Sequence, residues 1–144
     1  MEVGILCFAN YCRSPVAEKI LEKMNFDGIN FSSYGIEPMV DSKMDIRSQK
    51  FLEKFEISNL EHFPQKINKD KLKKIDVLLC IDHQVLMLVN KKFPQYRHKF
   101  KLFTFKAPSI AVEDPFKQNS QRYEEIMKKI AHVCENFRLD DFFK

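Results

Sequence analysis

The sequence predicts a single α/β domain: a Rossmann-like three-layer sandwich in which a four-stranded parallel sheet is flanked by helices. Three observations carry this. Short continuous apolar runs, clearest at Val3-Gly4-Ile5-Leu6-Cys7-Phe8 and at Ile75-Asp76-Val77-Leu78-Leu79-Cys80-Ile81, have the pattern of strands buried on both faces. They alternate with segments of helical periodicity, the order expected of βαβ units. The chain has 144 residues, and at roughly 150 per domain that leaves room for one core and no second module.

The elements follow in order. After the first strand, Pro15 suits the start of a helix, and Val16, Ala17, Ile20, Leu21 and Met24 recur at helical spacing. Asp27-Gly28 closes that helix, and Ile29 to Tyr34 reads as a second strand. Glu37-Pro38 opens an irregular stretch. Met44 to Phe55 then forms an amphipathic helix with Ile46, Phe51, Leu52 and Phe55 inward. The lysines at 66, 69, 71, 73 and 74 read as a solvated helix face. Ile75 to Ile81 is the third strand, His83 to Asn90 a helix stopped before Pro94, and Phe100 to Phe105 a fourth strand. The last helix runs from Ser120 to Phe137, with Tyr123, Ile126, Met127, Ile130, Val133, Cys134 and Phe137 on one face.

Composition narrows the function classes. Hydrophobic residues are 44% and charged residues 31%, too apolar for a disordered chain. The 14 Phe, against 4 Tyr and no Trp, predict a core built of benzyl rings. A net charge of +4 falls short of the basic stripe of a nucleic-acid binder. No apolar run approaches the ~18 residues of a membrane span, and Met1-Glu2-Val3-Gly4 lacks the basic start of a signal peptide. Cys7, Cys12, Cys80 and Cys134 form no Cys-x-x-Cys pair. Free thiols in a reducing, cytoplasmic setting are therefore expected, rather than disulfides or zinc.

In open α/β sheets ligands bind beyond the carboxyl ends of the strands. Beyond the first strand the sequence reads Cys7-Phe8-Ala9-Asn10-Tyr11-Cys12-Arg13-Ser14-Pro15, a Cys-(x)5-Arg-Ser pattern between a buried strand and a helix N-terminus. Peptide N–H groups of such a loop converge on one spot and, with the helix dipole, make a site for a phosphate dianion. The same field favours a thiolate, because helix N-termini lower thiol pKa values from about 8.5 to roughly 3.5 to 7.5. Cys7 is thus the expected nucleophile. Arg13 offers a planar fork for two phosphoryl oxygens, Ser14 a hydroxyl for the thiolate, and Asn10 tolerance of left-handed backbone. Chance yields this pattern in about one chain in 130 of this composition, so its placement between strand and helix matters as much as its letters.

The segment Cys7 to Glu18 resembles the phosphate-binding loop of the low-molecular-weight protein tyrosine phosphatase family, whose usual form is Cys-x-Gly-Asn-x-Cys-Arg-Ser-Pro followed by a small residue, Ala and Glu. The likeness continues along nearly the whole chain. Ser33-Tyr34-Gly35 falls where that family has Ser-Ala-Gly, with Asp45 twelve residues after Ser33. Cys80-Ile81-Asp82 resembles its Cys-Met-Asp strand end, and Val112-Glu113-Asp114-Pro115-Phe116 its Pro-Asp-Pro-Tyr loop. The resemblance implies the phosphotyrosine phosphatase I-like fold and a protein tyrosine phosphatase working through a cysteinyl-phosphate. Cys7 would be the nucleophile, Arg13 the phosphoryl ligand and Asp114 the general acid, held on a loop stiffened by Pro115. It further implies substrate contacts at Phe8, Ala9, Asn10, Tyr11, Cys12, Ser14, Met39 and Phe116, with Ser33 and His62 supporting Asn10. It implies no cofactor or metal, a phosphotyrosine protein as substrate, inorganic phosphate as product and inhibitor, no nucleic-acid or membrane partner, and a monomer or weak dimer.

The chain departs from the family pattern at several positions. Ala9 replaces Gly, which would strain the loop if that position needed φ > 0. Tyr34 replaces Ala, Phe116 replaces Tyr, and Gln65 replaces the Arg of a His-x-Ala-Arg segment whose His is His62. Cys12, five residues from Cys7, could trap an oxidised Cys7 as a disulfide or simply fill space. Two other readings fit the motif less well. A thiol-dependent arsenate reductase would use Cys80 as a relay thiol, and the following helix lacks the second one. A non-catalytic phosphotyrosine-binding module would be expected to have lost Cys7 or Asp114.

Overall fold

The computed structural model describes residues 1–143. Its strands are β1 (Glu2–Cys7), β2 (Asn30–Gly35), β3 (Val77–Cys80) and β4 (Phe100–Leu102). Its helices are α1 (Arg13–Met24), α2 (Ile46–Glu53), α3 (Lys69–Lys74), α4 (His83–Lys92) and α5 (Ser120–Asn136), with 3-10 turns at Pro94–Lys99 and Leu139–Phe142. The strands lie in the order β2-β1-β3-β4 and all pair in parallel. β1 and β3 are fully buried from Val3 to Cys7 and from Val77 to Cys80, which is why both read as unbroken apolar runs.

Strand order places the site. The chain leaves β1 toward β2 on one side and returns to lay β3 and β4 on the other, so the direction of winding reverses between β1 and β3. Right-handed crossovers then send the connecting helices to opposite faces, and the loops after β1 and β3 separate at their carboxyl ends to leave a crevice. α1, α2 and α5 pack together, while α4 packs on β3 and β4.

The phenylalanines form a connected group that pins the C-terminal segment. Phe142 stacks edge-on against Phe26 (5.3 Å between centroids) and Phe31 (5.7 Å), and lies 5.2 Å from Phe137. Phe137 continues to Phe103 and Phe105. The turn that delivers Phe142 is held by Asp141, whose carboxylate accepts the Arg138 N–H at 2.8 Å and pairs with Lys106 at 3.2 Å.

Three expectations need correction. Ile46 is 59% exposed rather than inward, because Asp45 caps α2 by accepting the Arg47 N–H. With Ile46 the first helical residue, the inward face carries Ser48, Phe51 and Leu52. The fourth strand ends at Leu102, three residues early, since the chain turns back with Phe105 N–H bonded to the Leu102 carbonyl. The first helix begins at Arg13 rather than near Pro15, which puts Arg13 and Ser14 on its first turn.

Phe142 is 2% exposed, whereas Leu139 of the same turn is 39% exposed. Phe142→Ala is therefore expected to cost about 3–5 kcal/mol in urea unfolding and Leu139→Ala about 1 kcal/mol or less.

Candidate active site

β1 ends at Cys7 and α1 begins at Arg13, so five residues must turn around one point. Asn10 makes the turn, with φ of 52°. Ala9 is not among the residues with positive φ, so the substitution of Ala for the family's Gly carries no left-handed strain. Cys7 Sγ accepts a hydrogen bond from the Asn10 N–H at 3.2 Å and lies 2.9 Å from Ser14 Oγ. The Asn10 amide nitrogen donates to Ser14 Oγ at 2.8 Å and to Ser33 Oγ at 3.0 Å. Because Ser14 accepts there, its own proton is free to point at Cys7 Sγ. Asn10 Oδ1 accepts from the Gln65 N–H at 2.9 Å, and the Asn10 carbonyl bonds His62 Nε2 at 2.7 Å. Ser33 passes the chain on by donating to Glu18.

Gly35 makes this closeness possible. A Cβ at Gly35 would lie 3.0 Å from Asn10 N, Asn10 Cβ and the Phe8 carbonyl oxygen. The large Tyr34 beside it is accommodated across the sheet by another glycine, since a Cβ on Gly4 would lie 3.2 Å from the Tyr34 ring.

Arg13 is 4% exposed. Its Nη1 donates to Asp82 Oδ2 at 2.7 Å and to the Val112 carbonyl at 3.1 Å. Nε and Nη2 have no hydrogen-bond partner among the described residues, so two parallel donors remain for an anion's oxygens. Asp82, the ion-pair partner of Arg13, is the residue that sequence reasoning passed over: its Oδ1 also accepts the Val85 N–H as the cap of α4. The signal was available in its place at the end of a buried strand, but only strand order puts that end beside the Cys7 loop.

Cys7, Phe8, Ala9, Tyr11, Cys12 and Arg13 share one cavity of about 330 Å³ with Met39, Asp114 and Phe116 from two other loops, and with Glu37. Asn10 and Ser14, expected to contact substrate, are fully buried and bond Cys7 Sγ, and Ser33 and His62 in turn bond Asn10. The Asp114 segment is itself restrained. Asp114 Oδ1 accepts the Phe116 N–H at 3.0 Å, and the neighbouring Glu113 binds Arg122 and Lys129 of α5.

All four thiols are free. Burial pushes Cys12 up to about 12, with the Asp45 carboxylate adding to the shift, so it is a neutral thiol that donates to Asp45. Burial also raises Cys80 and Cys134, and both are fully buried, so neither is placed as a relay thiol. Behind the loop, burial lowers His62 and keeps the ring neutral at pH 7, with Nε2–H donating to Asn10. Burial raises Glu18 to about 7 against the opposing effect of the Ser33 hydroxyl.

Two outcomes follow from this packing. Gly35→Ala, through the 3.0 Å contacts of its added methyl, is expected to displace the loop and lower kcat/KM by about 10²-fold, the scale of an ångström-sized misplacement. The raised Glu18 pKa means its contribution to stability is present below about pH 4.5 and is lost as pH rises through about 7. Thermal unfolding should therefore show Glu18→Gln matching the wild type at pH 4 and exceeding it at pH 8.

Comparison with known proteins agrees with this geometry. The family model described as low molecular weight phosphotyrosine protein phosphatase matches residues 2–140. The mouse (Mus musculus) low molecular weight phosphotyrosine protein phosphatase is 26% identical over 146 residues, covering 94% of this chain and 92% of that protein. The low molecular weight protein-tyrosine-phosphatase Ptp of Acinetobacter johnsonii is 28% identical, covering 84% of each. Among solved structures, the YwlE arginine phosphatase from Geobacillus stearothermophilus superposes with a TM-score of 0.86 at 19% identity, covering 93% of this chain and 88% of that one, a likeness of fold. With the match spanning nearly its whole length, and a buried arginine and a hydrogen-bonded cysteine sharing the cavity at the end of β1, the chain belongs to the low molecular weight protein tyrosine phosphatase family.

Proposed function

We propose that this family member hydrolyses phosphotyrosine in proteins by two in-line displacements at Cys7. The observation that carries the reading is the shared cavity of about 330 Å³, which Cys7 and Arg13, at the two ends of one loop, line together with Asp114 from a segment distant in sequence. In the first step Cys7 Sγ forms a bond to phosphorus, the ester P–O bond breaks, and Asp114 gives its proton to the departing phenolate oxygen. In the second, Asp114 takes a proton from water, the water oxygen bonds to phosphorus, and the P–S bond breaks to return the thiolate and inorganic phosphate. Ser14 Oγ, 2.9 Å from Cys7 Sγ, steadies that thiolate whenever it carries charge. The two unpartnered donors of Arg13 and the loop amides hold the equatorial oxygens, where charge shifts in the transition state.

The rest of the cavity suits an aryl ester. Phe8, Met39 and Phe116 line it while 45%, 38% and 50% exposed, and with Tyr11 they offer apolar surface to a phenyl ring at the entrance. Inorganic phosphate, the product, would compete for the same donors. Four free thiols suit action in a reducing cytoplasm, and no described helix is long and apolar enough to cross a membrane.

Turnover of para-nitrophenyl phosphate and of a phosphotyrosine peptide tests the reading. Cys7→Ser is expected to abolish both, and Asp114→Ala to lower kcat by about 10²- to 10⁴-fold. Undiminished turnover in Cys7→Ser would end the covalent mechanism. A phosphoarginine peptide cleaved faster than the phosphotyrosine peptide would overturn the substrate assignment.

A further inference from the structure

The first turn of α2 touches both loops that meet in the cavity. On one side, the Asp45 N–H donates to the Tyr11 carbonyl at 3.1 Å and Ser48 Oγ donates to the Cys12 carbonyl at 3.0 Å. Both acceptors lie in the loop that carries Cys7. On the other side, Arg47 Nη1 donates to the Gln118 carbonyl at 2.9 Å, at the far end of the segment that carries Asp114. Gln118 closes a tight turn, its N–H bonded to the Pro115 carbonyl at 3.0 Å with Lys117 at φ 71°. A displacement of Gln118 is therefore passed directly to Pro115 and Asp114.

Arg47 is not free to swing. Its Nε and Nη2 each bond one oxygen of Asp45, both at 3.2 Å, and its Cζ lies 4.0 Å from the centre of the Tyr123 ring. Tyr123 is buried on α5, and its hydroxyl bonds Ser48 Oγ. The guanidinium is thus fixed by a fork to Asp45 and by stacking on Tyr123, with one remaining N–H aimed at Gln118. The other end of the acid segment is tied at Val112, whose carbonyl bonds Arg13. The seven residues from Val112 to Gln118 hang between two arginines, one that would hold the phosphoryl group and one that would not.

We propose that Arg47 is a positioning residue: through Asp45 and Gln118 it sets the distance between the nucleophile loop and the general acid. This rests on the proposed role of Asp114 as the acid. A rigid span of this kind matters because proton transfer to the leaving oxygen needs hydrogen-bond reach at the moment the ester bond breaks. The need is greatest for leaving groups too basic to depart unprotonated.

The test compares kcat/KM, which reports the first displacement, for phenyl phosphate and para-nitrophenyl phosphate in the wild type, Arg47→Ala, Arg47→Lys and Asp114→Asn. Lys keeps a positive charge but lacks the fork that binds Asp45 and Gln118 together. Both Arg47 variants are expected to lose about 10-fold or more on phenyl phosphate and less than about 3-fold on para-nitrophenyl phosphate. The inhibition constant of inorganic phosphate is expected to stay within about 2-fold of the wild type, because the phosphate loop keeps its Asp45 and Ser48 bonds. Equal losses on the two esters, a phosphate inhibition constant that rises with them, or wild-type behaviour of Arg47→Lys would each overturn the proposal. A steep leaving-group dependence in Asp114→Asn beside a flat one in Arg47→Ala would overturn the positioning role alone. No such dependence in Asp114→Asn would overturn the acid assignment, and the positioning role with it.

Discussion

Asn10 bears the constraint on which the rest of the site depends. A chain leaving a buried strand must reverse around an anion-sized space and enter a helix within five residues, and it does so with one left-handed residue at φ 52°. Asparagine tolerates that region better than most side chains. Here it also uses every polar group it has: the N–H on Cys7 Sγ, the carbonyl on His62, Oδ1 on the Gln65 N–H, and Nδ2 on Ser14 and Ser33. Fully buried polar groups are costly when unpaired. The same network that satisfies Asn10 therefore locks the loop and orients the Ser14 hydroxyl toward Cys7 Sγ.

Arg13 imposes a second constraint, because a guanidinium 4% exposed would be costly without a partner. Asp82 and the Val112 carbonyl meet that need through a single nitrogen, which leaves Nε and Nη2 without a partner among the described residues. The two arginines tie the Asp114 segment at either end. Val112 and Pro115 of that segment are buried, and it is held by the Arg13 and Arg47 bonds to its backbone at either end and by the Glu113 pairs to α5.

Much of this was legible in the sequence. The unbroken apolar strands, the helix faces of α1 and α5, and the run from Cys7 to Ser14 all depend on neighbours within about ten residues, where periodicity and local geometry dominate. Ile46 was misread because a capping aspartate one residue earlier rotated the helix face, so that Ser48 took the inward position. Motif spacing shows that Asn10 and Ser14 share a loop with Cys7 without showing that both are buried against its sulfur. Asp82 and Arg47 were not legible as site residues, since each acts on groups 69 and 71 positions away in the chain.

What the sequence determined by itself is the chemistry available: a thiol, a guanidinium and a hydroxyl at the mouth of a helix, and a carboxyl before a proline. These are local patterns whose meaning comes from covalent spacing and backbone preference. What only the tertiary structure decided is how those groups are aimed. The order β2-β1-β3-β4 brings Asp82 beside Arg13, Gly35 lets β2 approach the loop, and the start of α2 links the Cys7 loop to the Asp114 segment. Each of these is a contact between segments distant in sequence. Such contacts follow from packing the whole chain around one core, and no local pattern encodes them.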